Sequence, residues 1–367
     1  MPDLDLVLRI DGVNHDGWNN IQVVRSLDTI ADTFDLALQT KASWHRPVTD
    51  ITEGATCEVL YRGAVLVSGY LDTVNSSYNA TSTTLTVSGR SKAGQLVDCT
   101  AIHKPWRDTP VLTIAAELCE PFGIRVTSEI GELPKEQRFK LAEGEKVFEA
   151  LARLGKDYAL RLVSLPNGDI SFTRTGLLRY PDVVIERGVN VFAGSLTRNL
   201  EERFSHYVFK AQLAASDELG GEVNTAYTVE DDGVSLYRPL VIESDEQVRD
   251  IKGQFTTKEK SKTPLQLRAE WERNTRAGKA RQLTYDVGNP DDLASSWEHA
   301  HGLWEPNTIV TVRDDFFELD AEFLITQVTL TLDDAGTRTS LALTLPQAYE
   351  VEFPPKKKAK AQKGISW

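Results

Sequence analysis

Thr56-Cys57-Glu58-Val59-Leu60-Tyr61, Val65-Leu66-Val67-Ser68-Gly69-Tyr70-Leu71-Asp72-Thr73-Val74 and Leu85-Thr86-Val87-Ser88 are three strand-like runs packed into the segment from Gly54 to Arg90. The pattern returns near the other end, from Asn307 to Leu345. There Ile309-Val310-Thr311-Val312-Arg313 is followed by Phe323-Leu324-Ile325-Thr326-Gln327-Val328 and Leu341-Ala342-Leu343-Thr344-Leu345. The offset is 253 from Val59 to Val312, 254 from Val74 to Val328 and 256 from Leu85 to Leu341. Val, Leu and Thr alternate in many β proteins, so the match has two readings: coincidence, or two similar β domains in one chain.

Outward from this cassette, the first hundred residues are strand-rich. Leu4 to Ile10 alternates and ends at Asp11-Gly12, a hairpin dipeptide. Trp18 to Val24 and Thr33 to Leu38 read as further strands, with a short helical turn at Ser26 to Ala31 between them. After Arg90 the character changes. Thr109-Pro110 opens a helical pattern ending before Pro121, with Thr109 as N-cap and Pro110 as first helical residue. A second helix is predicted from Lys146 to Tyr158, with Val147, Leu151 and Leu154 on one face, and a hairpin follows around Pro166-Asn167-Gly168. Strand patterns resume at Ser195–Leu200, Ser205–Gln212 and Val223–Val229, separated by the polar stretch Ser216–Gly221. Thr263-Pro264 opens a helix through about Lys279 with Leu267 and Trp271 at i, i+4, and Gln282–Val287 leads into the second cassette.

This predicts a mainly β, multi-domain α+β protein, with two similar small antiparallel β-barrel domains plus a small α/β domain. The expected boundaries are residues 1–97 for the first barrel and 98–188 with 223–280 for a discontinuous α/β domain. Residues 189–222 with 281–347 make the second barrel, and 348–367 a basic C-terminal tail. The tail, led by Pro354-Pro355-Lys356-Lys357-Lys358, reads either as a solvated terminus or as a docking segment for an acidic surface.

Composition narrows the function. At 367 residues, 41% hydrophobic and 26% charged, the chain is an ordinary globular protein of more than one domain. A net charge of −13 argues against general nucleic-acid binding, which needs Lys and Arg to neutralise phosphates. Cys57, Cys99 and Cys119 lack metal-ligand spacing, and their odd number fits reduced thiols. The acidic N-terminus lacks the basic residues of a secretory leader, and no apolar run reaches the roughly 18 residues of a membrane span.

No catalytic signature emerges. Gly-x-Ser-x-Gly, His-Glu-x-x-His and the phosphate-binding Gly-Lys-Ser loop are all absent. The single histidine cluster, Glu298-His299-Ala300-His301 with Glu305 nearby, could offer two imidazole nitrogens to a metal but fixes no third ligand by spacing. Paired acids at Glu201-Glu202, Asp231-Asp232, Asp314-Asp315 and Asp333-Asp334 fall at turns or strand ends, where Asp is favoured for local backbone hydrogen bonds. The seven tryptophans are dispersed rather than arrayed as a base-stacking platform. No catalytic, cofactor or metal residue is therefore assigned. The candidate interface residues lie at the cassette turns, Tyr61, Arg62 and Gly63 in the first and Asp314, Asp315, Phe316 and Phe317 in the second. Two adjacent aromatics at a loop tip are costly unless covered, either by the same domain or by a partner.

Several segments together resemble the baseplate hub protein of Mu-like contractile-tailed phages. They are Leu8-Arg9-Ile10-Asp11-Gly12 with Trp18, Val24-Arg25-Ser26-Leu27-Asp28, Ala31-Asp32-Thr33-Phe34-Asp35-Leu36, Gly69-Tyr70-Leu71-Asp72, Ser88-Gly89-Arg90-Ser91-Lys92 and Leu96-Val97-Asp98-Cys99. Arg268-Ala269-Glu270-Trp271 and Gly302-Leu303-Trp304-Glu305-Pro306-Asn307 are similar to that family as well. The resemblance spans nearly the whole chain and is weakest at 216–255 and in the tail. It implies a virion component assembled in the host cytoplasm: a homotrimeric ring between the tail tube and the central spike, beside baseplate wedge proteins, with DNA passing along its axis. Three chains with two similar barrels each would match a six-fold tube to a three-fold spike. The competing readings are a tail-associated cell-wall-degrading glycosidase and a carbohydrate-binding adhesin module.

Overall fold

The computed structural model describes residues 6–41, 51–102, 105–156, 158, 160–213, 223–244, 264–288, 296–333 and 336–349. The stretch at 216–221, the tail beyond 349 and the side chains of Leu267 and Trp271 lie outside the described residues. The chain divides into two units, one of residues 1–196 with 283–346 and one of 197–282 with 347–367.

The first unit opens with β1 (Leu6–Ile10), β2 (Val13–His15), β3 (Asn20–Ser26), β4 (Thr33–Lys41), β5 (Thr56–Tyr61), β6 (Ala64–Tyr78) and β7 (Ser82–Ser91). Asp11 and Gly12 both take positive φ, 45° and 85°, between β1 and β2, the mirror-image turn that matches strand twist. Next come α1 (Gly94–Asp98), β8 (Trp106–Pro110), α2 (Val111–Cys119), β9 (Val126–Ser128), β10 (Lys135–Phe139), α3 (Val147–Lys156), β11 (Arg161–Ser164) and β12 (Ile170–Thr173). This stretch forms its own core, in which Leu96, Trp106, Val111, Ile114, Leu118, Val147, Leu151, Leu154 and Phe172 are buried together. The expected cap of α2 shifts by one residue. Pro110, with ψ 139°, stands at the cap position, and the Thr109 hydroxyl donates to the Arg107 carbonyl instead. At α3 the amide of Lys146 donates to the Glu149 carboxylate, satisfying an amide at the start of the helix.

After β13 (Leu178–Glu186) and β14 (Val191–Arg198), the chain builds the second unit from β15 (His206–Leu213), β16 (Val223–Glu230), β17 (Pro239–Ser244) and α4 (Pro264–Lys279). Here the structure departs from the expected boundaries. β15 pairs antiparallel with β16 and parallel with β17, not with the second cassette. Residues 206–213, assigned to the second barrel, therefore belong with 223–244 and 264–280, assigned to the α/β domain. The physical reason is a shared core: Tyr207, Phe209 and Val229 alternate onto one sheet face, and Ala269 of α4 is buried with them.

The chain returns to the first unit through β18 (Arg281–Val287), and β19 (Glu298–His299) and β20 (Gly302–Leu303) form a small ribbon. β21 (Thr308–Asp314), β22 (Leu319–Asp333) and β23 (Gly336–Thr344) complete the second cassette. Both cassettes lie in one 13-stranded sheet, ordered β14-β18-β23-β22-β3-β4-β7-β6-β5-β1-β2, with β21 beside β22 and β13 beside β21. Among the described residues no pairing closes either half into a barrel. The two expected barrels are instead two halves of a continuous sheet with one buried core running through Leu8, Leu36, Val59, Leu71, Val87, Tyr285, Val312, Val328 and Leu341.

Four strands of each half correspond, β4, β7, β6 and β5 with β18, β23, β22 and β21, whereas the outer strands differ, β1 being antiparallel to β5 and β13 parallel to β21. β6 and β22 are each 15 residues long, and each carries an extra residue against its partner, between Leu71 and Thr73 in β6 and between Ile325 and Gln327 in β22. A bulge at the same place in both cassettes is a designed bend. Val74 faces Val87 and Val328 faces Leu341, so the third-strand offset is 254, not 256. A two-residue slip leaves the same side chains facing the core, which is why the letters alone admit it. Likewise Leu36 of β4 and Tyr285 of β18 face Val87 and Leu341, making β18 the counterpart of β4. The halves join where Gln327–Leu332 of β22 pair antiparallel with Ser26–Ile21 of β3.

Candidate assembly surfaces

The two predicted turns occupy equivalent places at the β5–β6 and β21–β22 connections, and they differ in how they are covered. Tyr61 ends β5 fully buried, its ring 4.9 Å from that of Trp297. Arg62 (φ 49°) and Gly63 (φ 80°) make the turn. The Arg62 guanidinium lies 5.1 Å from the Tyr61 ring centroid and 2.8 Å from the Glu298 carboxylate. This turn is folded onto the β19 ribbon of its own unit.

The second turn is organised from inside by Asp314 and presents its tip outward. The Asp314 carboxylate is buried at 3% exposure. It accepts the Tyr285 hydroxyl at 2.7 Å and the backbone amides of Phe316 and Phe317 at 2.9 and 3.2 Å. Burial, then this hydrogen bond, raises the Tyr285 phenol above its ordinary range, so it stays a donor. Phe317 packs against the core, whereas Phe316 is 72% exposed. Asp315 pairs with Arg187 at 2.8 Å, and that hydrogen bond holds its carboxyl below the usual range. A cavity of about 460 Å³ opens here, lined by Arg187, Val191, Phe192, Asp314, Phe316 and Phe317 among others. Arg187 and Phe192, from the loop before β14 and from β14 itself, escaped sequence reasoning because they lie more than 120 residues from the turn they meet. No signal in the letters marked Phe192, whose 44% exposure is a property of the folded strand.

The histidine cluster has local partners. His301 Nε2 lies 2.6 Å from Asp182, whose carboxyl this contact lowers, and its ring stacks on Tyr180 at 4.7 Å. The His301 amide donates to His299 Nδ1 at 3.1 Å, and burial followed by repulsion from His301 lowers the His299 pKa. Among the described residues no group of three or more His, Cys, Asp and Glu side chains is placed to hold a metal ion. No helix among them is long and apolar enough to cross a membrane.

A buried ion group spans the junction of the two half-sheets. Arg25 of β3 lies 3.5 Å from Asp32 and 3.6 Å from Glu305, and only Glu305 is substantially exposed. Desolvation outweighs attraction to Arg25 and lifts the Asp32 pKa to about 6.

The arrangement offers turns, edges and a notch lined by both charged and aromatic side chains. Comparison with known proteins gives it context. Residues 5–91 match the family described as Mu phage baseplate assembly protein GpP-like, N-terminal. Residues 93–174 match the second domain of baseplate hub protein gp44-like, and residues 261–352 the fourth domain of Mu phage baseplate assembly protein GpP. The chain is 27% identical over 376 residues to baseplate hub protein gp44 of Escherichia phage Mu, covering 98% of this chain and 92% of that one. The crystal structure of the 43 kDa tail protein of prophage MuSo2 from Shewanella oneidensis is 31% identical. It superposes with a TM-score of 0.79 over 94% of this chain and 99% of its own. The tail protein of Neisseria meningitidis MC58 shares the fold at 23% identity and a TM-score of 0.76, over 94% of this chain and 99% of its own.

Proposed function

This chain belongs to the baseplate hub family of Mu-like phages, and on that premise we propose that three copies form a ring joining the tail tube to the central spike. The observation that carries this reading is the internal repeat: two half-sheets with matching 15-residue strands and matching bulges. Three chains supply six near-equivalent half-sheets about one axis, which suits a six-fold neighbour on one face and a three-fold neighbour on the other. The protein then works by shape and edges, as a non-enzymatic part of the virion tail, with wedge proteins at its periphery and DNA passing along the axis. The net charge of −13 supports a channel that does not retain DNA, since attraction to basic groups is what would hold it. The Asp315-Phe316 tip is assigned to a contact with a neighbouring tail protein, because its aromatic ring is left uncovered by its own unit.

Size-exclusion chromatography with light scattering tests the ring. The expected mass, alone or with the spike protein bound, corresponds to three chains of 40.9 kDa each. A monomer that clears peptidoglycan would overturn the reading and establish a cell-wall enzyme.

A further inference from the structure

The two half-sheets differ in how their longest strands are flanked. β22 has β23 beside Leu324–Asp333 on one side, and the other side is filled along almost its whole length, by β21 at Leu319–Leu324 and by β3 at Gln327–Leu332. β6 has β7 beside Gly69–Tyr78 on one side, and β5 covers Ala64–Tyr70 on the other. Thr73–Tyr78, the counterparts of Gln327–Leu332 beyond the shared bulge, have no strand on that second side among the described residues.

The missing partner can be identified from the repeat. In the second half the place is filled by β3, which is the neighbour of β4. The counterpart of β4 is β18, and the strand beside β18 is β14. Hydrogen bonds from Gly288 N to the Asn190 carbonyl (3.1 Å) and from Asn199 N to the Ala280 carbonyl (2.8 Å) show that β14 runs antiparallel to β18, as β3 does to β4. β14 ends the strand order, and beyond Val191, which bridges to Arg187, its other edge has no strand partner among the described residues. The chain therefore carries one half of the junction at β6 and the other half at β14.

Resting on the ring reading above, we propose that Thr73–Tyr78 of one copy pair antiparallel with β14 of a second copy, reproducing between chains the junction that β22 and β3 make within one. Both edges carry few of the features that block unwanted pairing: Thr73–Tyr78 contains no charged residue and no proline, and β14 contains no proline and a single charge, Arg198, at its last position. Most of their side chains are also exposed, Tyr78 at 88% and Phe192 at 44%, while Val74, Val191 and Leu196 face the core. The two edges are different surfaces, so the contact is head to tail and generates a ring when its rotation closes.

Disulfide trapping tests the pairing. Ser195→Cys is combined with Ser76→Cys or with Ser77→Cys, both in a Cys99→Ser background, and the purified protein is oxidised and run without reductant. One of the two combinations should link chains to each other in high yield, while Ser195→Cys alone should not. If neither links chains although light scattering still reports three copies, the strand pairing is wrong and the ring stands. If the protein is a monomer, both readings fall together.

Discussion

Asp314→Ala removes the acceptor that organises the outward turn, and its cost can be worked from the contacts. The carboxylate takes one hydroxyl and two amides. The Tyr285 hydroxyl is buried and would be left without its partner, whereas the amides sit in a turn with an exposed residue and can reach water. A buried donor deprived of its partner costs ~1–3 kcal/mol, and hydrogen bonds to a charged group contribute ~1.5–3 kcal/mol, so about 3 kcal/mol is expected for Asp314→Ala. Tyr285→Phe removes a single bond and leaves the carboxylate its two amides, for about 1.5 kcal/mol. In the double variant the orphaned hydroxyl is gone. The combined loss should therefore fall about 1–2 kcal/mol short of the sum, the coupling expected of contacting residues. Urea unfolding of the four proteins at pH 7, with equal slopes against urea, measures each difference. Losses that add to within about 0.5 kcal/mol, the range seen for independent sites, would refute the account of this turn.

Three further outcomes follow from the packing and the charges. Gly69→Ala would place a Cβ 1.8 Å from the Arg90 carbonyl oxygen, so β6 and β7 must separate; a lower thermal midpoint is expected, and an unchanged one would contradict the register. Asp32 has a native pKa raised from 3.8 to about 6, so its contribution is fully present below about pH 4 and is lost as pH rises through 6, on the order of 3 kcal/mol in all. Stability measured across that window should show this loss in the native protein and not in Asp32→Asn. The Cys57 and Cys119 thiols, both pushed up to about 12 by burial, should resist a thiol reagent at neutral pH that labels the half-exposed Cys99; rapid labelling of all three would refute their placement.

The cassette repeat was legible because alternation reports which side chains share a face. Alternation does not report which strand lies next door. Ser205–Gln212 reads as a good strand wherever it is placed, and only the burial of Tyr207 and Phe209 with Ala269 shows that it belongs with α4. The same blindness hid the register of the third strand, where Leu85 and Val87 both face inward. At the candidate surface, Phe316-Phe317 left open whether the same domain or a partner covers the two rings, and the structure divides them: Phe317 packs on its own core and Phe316 is exposed. Tyr61 gave a similar signal and proved to be buried, because Trp297 covers it from 236 residues away in sequence. The unpaired stretch of β6 left no trace in the letters, since a strand with one free edge has the same alternation as a strand with two neighbours.

The central claim is that each chain supplies two equivalent positions to a ring of three. A strand-resolution electron cryo-microscopy map of the purified assembly tests it most directly. It should show three copies with six half-sheets around one axis and β14 of each copy lying beside Thr73–Tyr78 of the next. A ring in which those six residues face solvent, or an assembly without three-fold symmetry, would contradict it.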